Sequence, residues 1–320
     1  MTYLSALTRR LAGGLARETP GFRARHAAYL RGRQNPDGGF PGRAPGSDLY
    51  YTGFALRGLA ALGELTPEIA ARAAGFLRTR LRLGRETAII DFVSLLYSAA
   101  LVRDHGGPDV MTEMRPDWGR AVAEALEAFR SADGGYAKTP DNASGSTYHT
   151  FLVGLCLQLA GVGIPDPGRA VRFVLSRRRD DGGFVEVAPM KRGGTNPTAA
   201  AVGLLLLLNP GPDILPEDEG AAALGGVIDF LAGLQSDLEG GFAANTRVPV
   251  ADLLSTFTAM LTLNDLDAAD RIDREAAAVF LRTVEGPDGG FRGWIGDEAV
   301  DAEYTFYGLG TAALLRMIAG

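Results

Sequence analysis

The sequence predicts an all-α fold: a closed ring of six helical hairpins, with about twelve helices in concentric inner and outer layers. Three observations carry this reading. A block Asp-Gly-Gly-Phe/Tyr recurs at Asp37–Phe40, Asp133–Tyr136, Asp181–Phe184 and Asp288–Phe291, with a variant at Glu239–Phe242. The first glycines, at 38, 134, 182, 240 and 289, lie 96, 48, 58 and 49 residues apart. Since 96 is twice 48, a further copy that has lost its glycines is expected near residue 85. Amphipathic and wholly apolar segments alternate around these blocks, and the last apolar segment still needs a neighbour, which favours closure over an open arc.

Each amphipathic segment precedes a glycine pair. In Asp117–Arg130, Val122, Leu126 and Phe129 share one face, while Arg120, Glu124, Glu127 and Arg130 take the other. Pro67–Leu81, Pro167–Arg179 and Asp273–Glu285 read alike, as helices with one face in water. The segments after the glycines, Tyr50–Leu62, Phe92–Val102, Tyr148–Ala160, Pro197–Leu208, Leu253–Leu263 and Ala302–Met317, are apolar nearly all round and read as the buried inner layer. Short polar residues stand at their starts as expected N-caps: Asp48, Asp91, Ser146, Asn196, Asp252 and Asp301. The glycines are expected to end the outer helices in the left-handed conformation. The Phe or Tyr that follows is expected to fill the space between layers. All six capped ends then face one rim of a central cavity, in a single domain spanning 1–320.

Composition excludes several classes. Hydrophobic residues make up 46% and charged residues 22%, with a net charge of -6. With no basic tract beyond Arg177–Arg179, nucleic-acid binding is not expected. A single cysteine, Cys156, rules out an internal disulfide and suits a reducing cytoplasm, where the protein is expected. The longest strongly apolar run, Ala199–Leu208, is too short to span a bilayer, and residues 1–16 lack the pattern of a signal peptide.

The stretch Gln34-Asn35-Pro36-Asp37-Gly38-Gly39-Phe40-Pro41-Gly42-Arg43, followed by Asp48-Leu49-Tyr50-Tyr51-Thr52, resembles the repeat of protein prenyltransferase beta subunits. The same repeat is found in terpene cyclases such as squalene-hopene cyclase, and the resemblance covers essentially the whole chain. It implies an alpha-alpha toroid whose aromatic-lined cavity holds an isoprenoid, with a diphosphate near the capped rim. It also implies a helical-repeat partner subunit. The family's catalytic zinc is held by an Asp and a Cys two residues on at the fifth inner helix, and by a His before a Thr at the sixth. Asp252 matches the Asp, but Leu254 stands in place of the Cys and Tyr304, before Thr305, in place of the His. No protein-bound zinc is expected, and magnesium only alongside a diphosphate substrate. The acidic motif of class II cyclases and the aspartate-rich magnesium motif of class I enzymes are both missing.

Several residues remain candidates. Asp48, Asp252 and Asp301 each precede a Thr by four residues, which N-capping alone explains; Asp252 and Asp301 are also candidate catalytic acids. His149 is the one histidine on an expected inner helix, as an acid, a base, a diphosphate contact or a structural hydrogen-bonding group. Tyr51, Tyr148, Tyr304 and Tyr307, with Asp48, are expected to line the substrate pocket, although core packing accounts for inner aromatics as well. Arg43 matches the pattern in which family members carry a diphosphate-binding Arg, although in a later repeat. There Asn245 replaces it, and Arg247 lies close by. The expected function is that of a non-zinc prenyltransferase-like or terpene-cyclase-like enzyme acting on a prenyl diphosphate. The alternative is a non-catalytic toroid that docks a protein partner. A carbohydrate-active toroid fits less well, because the inner helices carry few acids.

Overall fold

A computed structural model describes residues 1–84 and 88–318. The chain divides into two compact units, Met1–Trp118 with Ala278–Gly320, and Gly119–Ala277. The degenerate glycine block expected near residue 85 lies outside the described residues.

In the first unit the apolar helices are Leu49–Leu62, Ile89–Asp104 and Ala302–Ile318. Leu49–Leu62 packs between the other two, so the apolar C-terminal helix finds its neighbour in the first hairpin. Pro20–Gly32 and Pro67–Leu83 are the amphipathic helices. Tyr3–Leu15 is a helix that the repeat pattern did not announce. It packs on Leu49–Leu62 and Ala302–Ile318, and the Tyr97 hydroxyl donates to the Leu4 carbonyl at 2.9 Å. Gly14 permits the approach: a Cβ there would lie 2.4 Å from the Ala313 carbonyl oxygen.

In the second unit Thr195–Leu208 packs between Thr147–Leu159 and Leu253–Asp265. Trp118–Glu127, Pro167–Leu175 and Val227–Ala232 are the helices that precede the glycine blocks. The 58-residue spacing is explained by an added helix, Glu217–Leu224.

Two of the expected caps are corrected. Ile89–Asp104 starts after Ala88, and Asp91 lies inside its first turn. Thr195–Leu208 starts after Gly194, and Asn196 is likewise inside. Neither Ala88 nor Gly194 makes a side-chain cap bond, so the first polar residue of each segment was the wrong marker. Asp48, Ser146, Asp252 and Asp301 do accept the N–H three residues on, from Tyr51, His149, Ser255 and Tyr304.

The role of the glycines is also corrected. Pro20–Gly32 is already finished at Arg33, and Gly38 belongs to the turn that follows, where its N–H donates to the Asn35 carbonyl at 2.9 Å. At φ +91 it takes a backbone conformation closed to most side chains, and a Cβ would fall 1.9 Å from the Arg72 carbonyl oxygen. Gly240 meets Ala276 in the same way, at 2.2 Å. The glycine therefore lets the amphipathic helix of the next repeat close on the turn.

The aromatic residue after each glycine pair is fully buried: Phe40, Tyr136, Phe184, Phe242 and Phe291 are all 0% exposed. Burial of such a side chain contributes roughly 1.5–3 kcal/mol. The N–H of each donates to a threonine hydroxyl on the following apolar helix, Thr52, Thr150, Thr198, Thr256 and Thr305, at 2.8 to 3.2 Å. In four of these repeats the hydroxyl donates in turn to the carbonyl of the N-cap residue. One threonine thus satisfies a buried backbone donor and tethers the glycine turn to the helix start. Short antiparallel strand pairs join turn to cap at Phe40–Pro41 with Ser47–Asp48, Ala243–Asn245 with Val248–Ala251, and Phe291–Arg292 with Val300–Asp301.

Candidate functional site

In the first unit the repeat construction brings the starts of Leu49–Leu62 and Ala302–Ile318 side by side, and six sequence-predicted residues gather there. Arg43 donates from Nε to Asp301 at 3.0 Å and from its terminal nitrogens to Asp297 at 2.6 and 3.3 Å. Its guanidinium is 5.9 Å from the centre of the Tyr304 ring. Asp301 is fully buried and caps Tyr304 with its other oxygen at 3.0 Å. Burial opposes ionisation of Asp297, but hydrogen bonds from Arg43 and from the Ala299 and Gly293 N–H groups outweigh it and hold its pKa below the usual range. The Arg43 charge is thus already taken up by two carboxylates. Asp48 is exposed and caps Tyr51, whose phenol burial pushes up in pKa. Tyr307 is buried.

Glu303 was missed, although it lies only two residues after Asp301. It accepts a 2.6 Å hydrogen bond from the Tyr50 hydroxyl. Burial raises its pKa against the opposing effect of that bond. Beside the pair lies an aromatic cluster. Phe54 is 4.8 Å from Tyr50, 5.6 Å from Phe306 and 5.3 Å from Tyr307, ring centre to ring centre, and Tyr307 is 6.2 Å from Tyr304. A carboxyl group held toward its protonated form next to an apolar aromatic surface is suited to giving up a proton there.

The other candidates lie in the second unit. The Ser146 hydroxyl is in contact with Glu186 and lies 2.8 Å from His149 Nδ1. Glu186 thereby fixes Ser146, and Ser146 orients the imidazole through Nδ1. Both partners were missed as functional residues, and for Glu186, in a loop of the next repeat, no sequence signal exists. Tyr148 packs edge-on to His149, with ring centres 5.6 Å apart. Asp252 accepts from the Ser255 N–H and hydroxyl, both at 2.7 Å; burial raises its pKa despite these bonds. Arg247 is at an exposed hairpin tip, where its N–H donates to Asn245 Oδ1 at 2.9 Å.

The zinc set implied by the resemblance does not fit these residues. The Asp252 carboxylate is committed to its cap, Leu254 has no ligating atom, and the Tyr304 ring lies under Arg43. No group of three His, Cys, Asp or Glu side chains among the described residues could hold a metal ion. Cys156 is fully buried, and burial pushes its thiol well above the ordinary range, leaving it unreactive. No described helix is long and apolar enough to cross a membrane.

Comparison with solved structures places this geometry among known folds. A Candida albicans protein geranylgeranyltransferase-I solved with GGPP aligns at TM-score 0.70 and 14% identity, covering 91% of this chain and 90% of that one. A type II terpene cyclase of Scytonema aligns at 0.57 and 15%, covering 98% and 99%. An alpha-1,6-mannanase of Salegentibacter aligns at 0.58 and 10%, again covering 98% and 99%. No curated protein sequence matches the chain. The family model of the prenyltransferase alpha-alpha toroid domain matches residues 96–246 and 207–320, and on that match this chain belongs to the prenyltransferase alpha-alpha toroid family.

Proposed function

We propose that the protein is an enzyme acting on a prenyl diphosphate, in the manner of a zinc-free prenyltransferase or a terpene cyclase. The observation that carries this is the Tyr50–Glu303 pair set against the rings of Phe54, Phe306 and Tyr307. An isoprenoid body lies along those rings, and Glu303 with Asp301 supplies acid–base groups at the helix starts. His149, oriented through Ser146, and Asp252 are further acid–base candidates on the second unit. The geranylgeranyltransferase-I solved with GGPP supports the ligand class by likeness of fold.

A second reading as a glycosidase has one observation in its favour, the gathering of Asp297, Asp301 and Glu303. Titration of the protein with farnesyl and geranylgeranyl diphosphate, with and without magnesium, and separately with alpha-1,6-mannotriose distinguishes the two. A prenyl diphosphate is expected to raise the melting temperature in a concentration-dependent way, with pyrophosphate released on turnover. Stabilisation without release leaves a binding toroid, for which a partner subunit is then sought by pull-down. Stabilisation by mannotriose alone overturns the proposal.

A further inference from the structure

We propose that Arg57 is an oxyanion-binding residue, holding the phosphate or carboxylate head of an amphipathic ligand whose apolar body extends over Phe54 toward Phe306 and Tyr307. Arg57 is the only charged side chain in the helix Leu49–Leu62. Its guanidinium carbon lies 4.9 Å from the ring centre of Phe54, one turn earlier, and 4.9 Å from that of Tyr97 on the neighbouring apolar helix. A guanidinium held against two aromatic rings in this way is fixed by them and keeps N–H groups for a ligand. Nε is buried without a hydrogen-bond partner, and Arg57 forms no ion pair among the described residues. The side chain is half-buried, so solvent and solutes reach it. Tyr97 is itself fixed, its hydroxyl bound to the Leu4 carbonyl and touching Thr8, so the arrangement is preorganised.

The alternative anion site at the helix starts is weaker on electrostatic grounds. There Arg43 is already engaged by Asp297 and Asp301, with Asp48 and Glu303 adding acidic groups. Arg57 lies seven residues beyond Tyr50, about 10 Å further along the helix axis. A ligand with its head at Arg57 is therefore inverted relative to the resemblance, which puts the diphosphate at the capped ends. The inference rests on the prenyl-ligand reading only for the identity of the apolar body.

The test is calorimetric titration of wild-type protein and Arg57→Met with geranylgeranyl diphosphate, geranylgeraniol and palmitate, with folding checked by circular dichroism. Arg57→Met is expected to weaken diphosphate binding at least tenfold and to change geranylgeraniol binding less than twofold. Diphosphate binding by Arg57→Met equal to wild type overturns the inference and leaves the prenyl reading standing. Arg57-dependent binding of palmitate, with no binding of any prenyl compound, supports the inference and removes the prenyl reading. Failure of every anionic amphiphile removes both. Should Arg57→Met not fold, Arg57→Lys and Arg57→Gln replace it; retention by Lys with loss by Gln supports the inference, and equal behaviour of the two overturns it.

Discussion

His26 shows how one side chain can be settled by its neighbours. It is fully buried, stacked on Phe291 with ring centres 4.7 Å apart; Nδ1 accepts the Gly290 N–H at 2.9 Å, and Nε2 donates to Glu285 at 3.1 Å. Both nitrogens are used by the neutral ring. Burial lowers its pKa from 6.5 to about 4, with Glu285 opposing and Arg25 adding to the shift. Because the folded pKa is depressed, the folded state binds fewer protons than the unfolded chain between these values. Stability is therefore complete above pH 6.5 and is lost as pH falls toward 4, by about 3 kcal/mol from this residue. Urea unfolding across that range should show the slope in wild type. It should be reduced in His26→Asn, whose carbonyl still accepts from Gly290. The pairings at the site were not legible at this scale: Arg43 and Asp301 are 258 residues apart, and Tyr50 and Glu303 are 253 apart. Only the fold puts them side by side. Arg57 did leave a trace, as a lone charge in an apolar segment.

At the scale of the element, the alternation of amphipathic and apolar segments marked the helices nearly to their ends, because burial on all sides excludes polar residues whatever the local detail. Caps were less legible. At Ala88 and Gly194 nothing but backbone geometry starts the helix, and composition carries no record of that. The threonine four residues after Asp48, Asp252 and Asp301 was visible as a pattern, but its bond to the aromatic N–H was not. That bond predicts a specific phenotype. Thr256→Val leaves the buried Phe242 N–H without an acceptor and should cost about 1–3 kcal/mol in denaturant unfolding, while Thr256→Ser should recover most of the loss. The helix Tyr3–Leu15 escaped notice since it precedes the first block and has no counterpart in the repeat. Its packing predicts that Gly14→Val, which drives a side chain into the Ala313 carbonyl, costs about 1–3 kcal/mol in the same assay.

For the molecule as a whole, the repeat spacing was enough to announce the toroid family, and the family match agrees with it. Chemistry was much less legible, because a scaffold made from one repeated hairpin uses the same Asp, Thr and aromatic positions for stability that a catalyst would use for reaction. The first unit also joins two segments far apart in sequence, 1–118 and 278–320. Arg316 bonds Glu18 at 2.7 and 2.9 Å, and Arg17 donates to the Arg316 carbonyl at 3.1 Å, beside the contact of Gly14 with Ala313. During vectorial synthesis, residues 119–277 leave the ribosome as an uninterrupted stretch and can assemble at once. Residues 1–118 must wait, with the apolar flank of Leu49–Leu62 uncovered, until residues 278–320 emerge, and that interval is when a nascent chain of this design most needs a chaperone.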